Sequence, residues 1–418
     1  MVKDIRIEDY TYPLPEERIA RHPAAVRDGC RLLLSAPDGT IYHRRFHELA
    51  SLLPPGTLMV CNDTRVINAR MEFHKDTGAR IEIFLLDPVY PSDYALMFQS
   101  KGRCVWHCLA GNLKKWKGGA LTMTISREGE EELVIKACRL AGENGEGIDV
   151  EFNWTPEDVP FSEVIELAGR IPIPPYLNRE SEDSDREDYQ TIYAATRGSV
   201  AAPTAGLHFT PRVFLDLAAH NIPVVKLTLH VGAGTFKPVK SDTIGGHPMH
   251  TETFSITRQS LCHILDCKKS NRPLAAVGTT TVRTLESLPL LGSKIARGDK
   301  TFHIDQWEAY ENVGFTDTIT SLESLLSFME GENLESLTAS TAIMIAPGFS
   351  WRMTDVLVTN FHQPQSTLLL LVSSFLGESQ THGGMERAQW QRIYSAALEE
   401  DYRFLSYGDA CLLMPIRK

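Results

Sequence analysis

Apolar and polar positions along the chain fall into two rhythms. In residues 1–70, and again after 154, continuous apolar runs alternate with stretches of helical spacing. Thr57-Leu58-Met59-Val60-Cys61, Pro223 to Val231, Leu274-Ala275-Ala276-Val277 and Asp355 to Phe361 read as buried strands. Leu32-Leu33-Leu34 and Thr40-Ile41-Tyr42 flank Pro37-Asp38-Gly39 as a β-hairpin. Phe46 to Leu53 reads as a short helix. Thr210-Pro211 opens another, with Thr as N-cap, Pro at the first helical position, and Phe214, Leu217 and Ala218 on the buried face. A helix runs from Thr279 through Leu288. Another runs from Thr367 to Phe375, capped by Ser366 and closed by Gly377. Met385 to Tyr402 is amphipathic, and Phe404 to Met414 is a last strand. The span 198–236 therefore predicts one βαβ-type unit, built around the small-residue stretch Gly198 to Thr210.

From 71 to 153 the rhythm changes. Short alternating runs recur, among them 80–86, 94–98, 105–109, 120–125 and 132–137, separated by Gly, Pro and Asp. No helix is expected between them. This pattern predicts an inserted all-β unit, a small barrel or sandwich. Trp154 to Gly169 returns to helix, capped by Thr155-Pro156-Glu157-Asp158. Three prolines keep 170–176 extended. The charged stretch 179–188 reads mostly as solvated loop, and 290–340 as two helices around an exposed loop.

Composition narrows the class. A chain of 418 residues suggests two or three domains, with ordinary globular proportions of apolar and charged residues. The longest apolar run, Leu368 to Val372, is far short of a membrane span. No apolar segment follows the first residues, so no signal peptide is expected. Eight cysteines are scattered without a CxxC pair, which points to a reduced, cytoplasmic protein with no structural metal. A net charge of −11 argues against a general nucleic-acid coat protein. It leaves room for a local basic patch.

The predicted strands share a property. Each ends in a polar cluster: Asn62-Asp63-Thr64-Arg65; His230 beside Gly232-Ala233-Gly234; Thr279-Thr280-Thr281 with Arg283; and Asn360 with His362. Parallel α/β folds bind ligands at the carboxyl ends of their strands, so the four clusters predict a common mouth. Each cluster also has a plain structural reading as a cap or turn. Walker A, HExxH and GxSxG motifs are missing. His208, His230, His250 and His362 are candidates for proton transfer. Lys101, Arg103 and the run Lys114-Lys115-Trp116-Lys117 could bind phosphate and stack a base, or simply form an exposed hairpin tip. Two readings stand at this point: an α/β-barrel enzyme acting on a free nucleoside or sugar phosphate without RNA, and a non-catalytic RNA-binding or scaffold protein.

Several blocks then carry a specific resemblance: Asn62-Asp63-Thr64-Arg65-Val66, Ile171 to Tyr176, Tyr189-Gln190-Thr191, Ala201 to Thr210, His230-Val231-Gly232, Met249-His250, Val277 to Thr280, Thr359 to His362 with Ser366 to Leu369, and Ser406 to Ala410. Together they resemble the S-adenosylmethionine:tRNA ribosyltransferase-isomerases of queuosine biosynthesis. The resemblance implies a barrel-like α/β domain (1–70 and 154–418) with an inserted antiparallel β-barrel (71–153). It implies transfer and isomerisation of the ribosyl group of S-adenosylmethionine onto a 7-aminomethyl-7-deazaguanine base at the tRNA wobble position. The products are epoxyqueuosine-tRNA, adenine and methionine. S-adenosylmethionine is consumed as a cosubstrate, so no cofactor is expected, and neither is a membrane or protein partner.

Motif matching nominates positions, and chemistry distributes the duties. A base must remove a proton beside the sulfonium, a task suited to histidine. His208 or His230 is the expected base, with Asp63 and His362 in the same catalytic set. The helix opening at Thr279 is expected to hold the methionine carboxylate with Arg283. Asn62 and Asp63 are expected on ribose hydroxyls, and Asp409 on the amine of the modified base. Arg65, Gln190, Thr204, Thr280, Glu286, Asn360 and Tyr407 complete the expected substrate-binding set. The tRNA contacts are expected at Lys101, Arg103, Lys114, Lys115 and Lys117. Gln363, Gln365, Cys411 and 110–114 depart from the usual family residues.

Overall fold

The strands predicted from continuous apolar runs lie side by side in the middle of one sheet. In the computed structural model, which describes residues 2–75, 77–140, 147–232, 239, 241–311, 314–377 and 388–416, that sheet has ten strands. Val224–Leu229, Leu58–Asn62, Leu274–Val277 and Val356–Asn360 are consecutive neighbours, all parallel. Ala410–Leu413 joins antiparallel, followed by the hairpin Arg31–Ser35 and Ile41–Arg45. On the other side lie Glu252–Thr257, Ser336–Thr341 and His303–Ile304. The pairing order has two edges, so this sheet is open, where the resemblance had implied a barrel-like domain.

The runs 58–61, 274–277 and 356–358 are apolar throughout because both faces are covered, whereas Val224–Leu229 carries an exposed Lys226. Leu58, Val60, Leu274, Ala276 and Leu357 point into the larger core. Met59, Cys61, Ala275, Val277, Val356 and Val358 point into a second core on the opposite face. Strand periodicity of two thus feeds two cores from one run.

The inserted unit is a seven-stranded antiparallel sheet whose strands Arg70–His74 and Leu121–Ile125 come back into contact, curling it into a half-barrel. Its core extends past 71–153, taking Ile67 and Ala69 before that span and Phe161, Val164 and Ile165 after it. Gly169–Arg170 also pairs with Arg70–Met71. One predicted strand is a helix: Tyr94–Gln99 is capped by Asp93, whose carboxylate accepts from the Leu96 amide. Local capping overrode the apolar run.

Other boundaries shift for identifiable reasons. Trp154 belongs to the strand Ile148–Thr155, and the helix starts later, at Phe161 after Pro160. The helix opening at Thr279 continues through Pro289 to Ala296. Ser336–Thr341 is a strand in the weakly patterned 290–340 region, and 303–304 adds a short edge strand. The last strand is only Ala410–Leu413. Thr210 caps Pro211–Ala219 as expected, with Val213 and Leu217 buried but Ala218 exposed. Ser366 caps Thr367–Phe375, and Gly377 follows at φ +84°. The amphipathic helix is described from Gln389 to Glu399; residues 385–387 lie outside the described residues. The span 198–236 is not one βαβ unit. Thr196–Ser199 pairs with Thr64–Val66 in a separate two-stranded sheet, while Val224–Leu229 joins the large one.

Helices Thr279–Ala296 and Thr318–Gly331 cross so closely that a Cβ on Gly292 would sit 2.0 Å from the Ser321 carbonyl oxygen. Gly292→Ala is expected to destabilise the protein by about 1–3 kcal/mol, through forced backbone displacement. Gly331→Ala meets open space and should be neutral or stabilising by up to about 1 kcal/mol. Urea unfolding midpoints of the two variants check the contrast.

Candidate active site

Parallel pairing places the carboxyl ends of four strands on one edge. A cavity of ≈ 140 Å³ opens there. The predicted clusters meet around it. Thr279, Thr280 and Arg283 enter from the helix after Val277; Asn360 and His362 from the end of Val356–Asn360. Ala201 to Ala205 close another wall. Asn62 sits just behind: its Nδ2 donates to the Leu229 carbonyl at 3.0 Å and lies 3.4 Å from Thr280 Oγ1. Its Oδ1 accepts from the Thr64 and Leu229 amides. Asn62 thus stitches two strand ends together.

Gly278 has φ +85°, a conformation that a side chain would strain, and it starts the 18-residue helix Thr279–Ala296 with its amino end at the cavity. Such an end favours anions. One turn in, Arg283 is 7% exposed and paired with buried Glu252. Its Nη2 reaches the His250 carbonyl at 3.4 Å, and its Nε has no partner among the described residues. Glu252 was missed in the sequence. The signal was there: on Glu252–Thr257 an acid stands in phase with buried Phe254 and Ile256.

The small-residue stretch is packed by the protein itself. Gly206 is small because the Tyr193 hydroxyl occupies the space a Cβ would take, at 2.1 Å. Protein, not substrate, approaches that backbone. Thr204 to His208 forms a short 3-10 turn. Thr204 faces the cavity, but His208 lies behind the wall, 5% exposed. His208 Nε2 is 3.1 Å from Asn360 Nδ2, and Nδ1 is 3.4 Å from Cys30 Sγ. His230 is also outside the cavity lining. Its ring lies 4.4 Å from that of Tyr94 on the inserted helix, and Nδ1 is 3.1 Å from Thr64 Oγ1. The loop 233–238 after it lies outside the described residues. Of the candidate histidines, His250 and His362 line the cavity, His362 with its Nε2 3.0 Å from Thr359 Oγ1.

Other expected residues have their polar atoms committed elsewhere. Asp63 accepts from the Thr228 hydroxyl at 2.7 Å, and burial raises its carboxyl above the usual range. Glu286, also raised by burial, accepts the amides of Arg352, Met353 and Thr354. Asp409 accepts those of Arg31 and Arg403, so it holds a loop and does not line the cavity. Gln190 brackets Val66 through both its amide and its carbonyl. The Tyr407 hydroxyl donates to Asp185. Asp185 is itself fully buried against Arg179, so the acidic stretch is pinned at that point and is not purely solvated. Arg65 is exposed on the short strand Thr64–Val66.

The basic residues of the insert split. Lys101 and Arg103 lie near the Tyr94–Gln99 helix, and Arg103 is paired with Glu151. Lys114, Lys115 and Lys117 are exposed at the other end of the nine-residue strand Arg103–Gly111, about 30 Å away. Trp116 is fully buried, its indole N–H donating to the Gly119 carbonyl, so it cannot stack a base.

Burial holds three histidines neutral. It pushes His208 down to about 3, helped by the charges of Arg403 and Arg27, and His230 and His362 down to about 4. A depressed folded value means that the unfolded chain binds more protons below about pH 6.5. Stability from this source is complete above that pH and is lost as pH falls toward the folded value. Buried Asp63 and Glu286 contribute with the opposite sign, so the comparison that isolates one histidine is with its variant. Between about pH 6 and 4, wild type should lose about 1.4 kcal/mol per pH unit more than His208→Gln. Denaturant unfolding across that range measures it.

A cavity at the carboxyl edge of a parallel sheet centre, with a helix amino end and a buried arginine in its wall, is the place where α/β folds bind small molecules. Comparison with known proteins narrows the class. The family described as queuosine biosynthesis protein matches residues 7–413. An S-adenosylmethionine:tRNA ribosyltransferase-isomerase of Anaeromyxobacter sp. (strain Fw109-5) is 37% identical over 411 residues, covering 98% of this chain and 99% of that protein. One of Sulfurihydrogenibium sp. (strain YO3AOP1) is 35% identical over 412 residues, covering 98% and 100%. A crystal structure of S-adenosylmethionine tRNA ribosyltransferase from Thermotoga maritima is 26% identical, covers 97% of this chain and 100% of that one, and superposes with a TM-score of 0.46. The chain belongs to the S-adenosylmethionine:tRNA ribosyltransferase-isomerase family of queuosine biosynthesis.

Proposed function

We propose that the chain transfers and isomerises the ribosyl group of S-adenosylmethionine onto the 7-aminomethyl-7-deazaguanine wobble base of tRNA. Epoxyqueuosine-tRNA forms, and adenine and methionine leave. Within the family, the observation that carries this reading is the free Nε of buried Arg283 in a cavity that begins at a helix amino end. Glu252 already balances the guanidinium charge. The unused N–H and the helix end suit a zwitterionic ligand whose carboxylate is its only anion, as in the methionine part.

The chemistry starts with loss of a proton from carbon beside the sulfonium. His362 is the candidate base because it is on the cavity wall and neutral. Burial also lowers its proton affinity, which opposes the step. The sulfonium offsets this: the electron pair left on carbon is stabilised by the neighbouring positive sulfur, and the net charge in the cavity does not change. The ribose hydroxyls fall to Thr204, Thr280 and Asn360 on the same wall.

Adenine release from S-adenosylmethionine tests the reading, with and without an anticodon stem-loop carrying the precursor base. Release is expected only with the loaded RNA. RNA-independent turnover would favour a free-nucleoside enzyme, and RNA binding without release a non-catalytic role. His362→Ala should lower kcat by about 10²–10⁴.

Exposed Lys114, Lys115 and Lys117 supply phosphate contacts without stacking. Replacing all three with alanine should weaken tRNA binding and reduce the slope of log affinity against log salt by about three. Filter binding across a salt series reads both effects. Among the described residues, no helix is long and apolar enough to cross a membrane.

A further inference from the structure

His208 carries a motif but does not reach the cavity. What it does reach is the side chain of Asn360, and the donor pattern there is fully determined. The Leu405 carbonyl can only accept, and Asn360 Nδ2 lies 3.3 Å from it. That contact orients the amide, so Oδ1 faces Thr204, whose hydroxyl donates to it at 2.9 Å. The second Nδ2 proton faces His208 Nε2 at 3.1 Å. Nε2 must then accept, which puts the ring proton on Nδ1, toward Cys30 Sγ at 3.4 Å. Phe46 lies against the imidazole, with ring centroids 5.1 Å apart.

We infer that His208 is a positioning residue that sets the polarity of Thr204. With its single proton committed to Asn360, the Thr204 oxygen presents only lone pairs to the cavity, where Thr204 is part of the wall. It is therefore an acceptor for an O–H or N–H donor of the bound molecule, a ribose hydroxyl or an amino group. A His208 protonated on Nε2 would set two donors face to face and release the amide. The inference rests on the cavity being the cosubstrate site.

Two measurements test it. The first does not depend on the activity. In ¹⁵N-histidine NMR, with the His208→Gln spectrum assigning the signal, His208 should be the Nδ1-protonated tautomer. An Nε2-protonated ring overturns the relay. The second is a double-mutant cycle on KM for S-adenosylmethionine. Thr204→Val and His208→Leu should each raise KM about tenfold, as expected for one lost hydrogen bond. If His208 acts through Thr204, the double variant is no worse than Thr204→Val. A multiplied loss of about a hundredfold overturns the inference. Should His208→Leu fail to fold, His208→Gln replaces it. Its side-chain carbonyl can accept from Asn360, so KM should stay within about threefold of wild type, and a tenfold rise overturns the inference.

Cosubstrate analogues lacking one ribose hydroxyl or the amino group separate the two donors. The analogue with equal KM for wild type and Thr204→Val identifies the group, and a tenfold difference retained by every analogue overturns the acceptor role. Wild type that releases no adenine would sink the activity reading alone, since the tautomer measurement stands without it.

Discussion

Burial of the central parallel strands on both faces is the constraint from which the rest follows. Parallel neighbours must point the same way, so their carboxyl ends share one edge. Both faces are occupied by apolar cores, which leaves that edge as the place where polar side chains can gather. Asn62, Thr279, Thr280, Asn360 and His362 come together because their strands are stacked in that order, although up to about 300 residues separate them in sequence.

The same burial decides which groups can do chemistry. A histidine kept neutral in an apolar wall is ready to accept a proton but holds it weakly. Such a residue is useful only where a neighbouring positive charge is being neutralised in the same step, as at a sulfonium carbon. Histidines whose two nitrogens are already engaged serve the site by orienting others. His208 belongs to this kind, and His230 ties the inserted unit to the sheet. Gly198 makes room for that tie, since a Cβ there would sit 2.7 Å from the His230 ring and 2.8 Å from Tyr94. The insert therefore meets the sheet at a packed aromatic contact beside the strand ends, continuous with a core that includes Val200.

Much of this was legible in the sequence. Continuous apolar runs marked the central strands, because only strands covered on both faces can be apolar throughout. Thr210-Pro211 and Ser366 marked helix starts, because caps act within a single turn. The texture of 71–153 marked the insert, and the motif blocks marked the family. Each of these signals is local: periodicity, capping and turn chemistry act over a few residues.

The pairing order, the partners of each polar side chain and the depth of each histidine were decided only by the tertiary structure. His208, His230 and His362 look alike as residues after apolar runs, yet only His362 lines the cavity. Trp116 among lysines looks like a stacking platform, yet its indole completes the insert's core. Asp409 and Glu286 look like ligands for a substrate, yet Asp409 satisfies the amides of Arg31 and Arg403, and Glu286 those of the distant residues Arg352, Met353 and Thr354. Hydrogen bonding and burial depend on which segments the chain brings together, and a side chain's chemistry follows from those neighbours more than from its own identity.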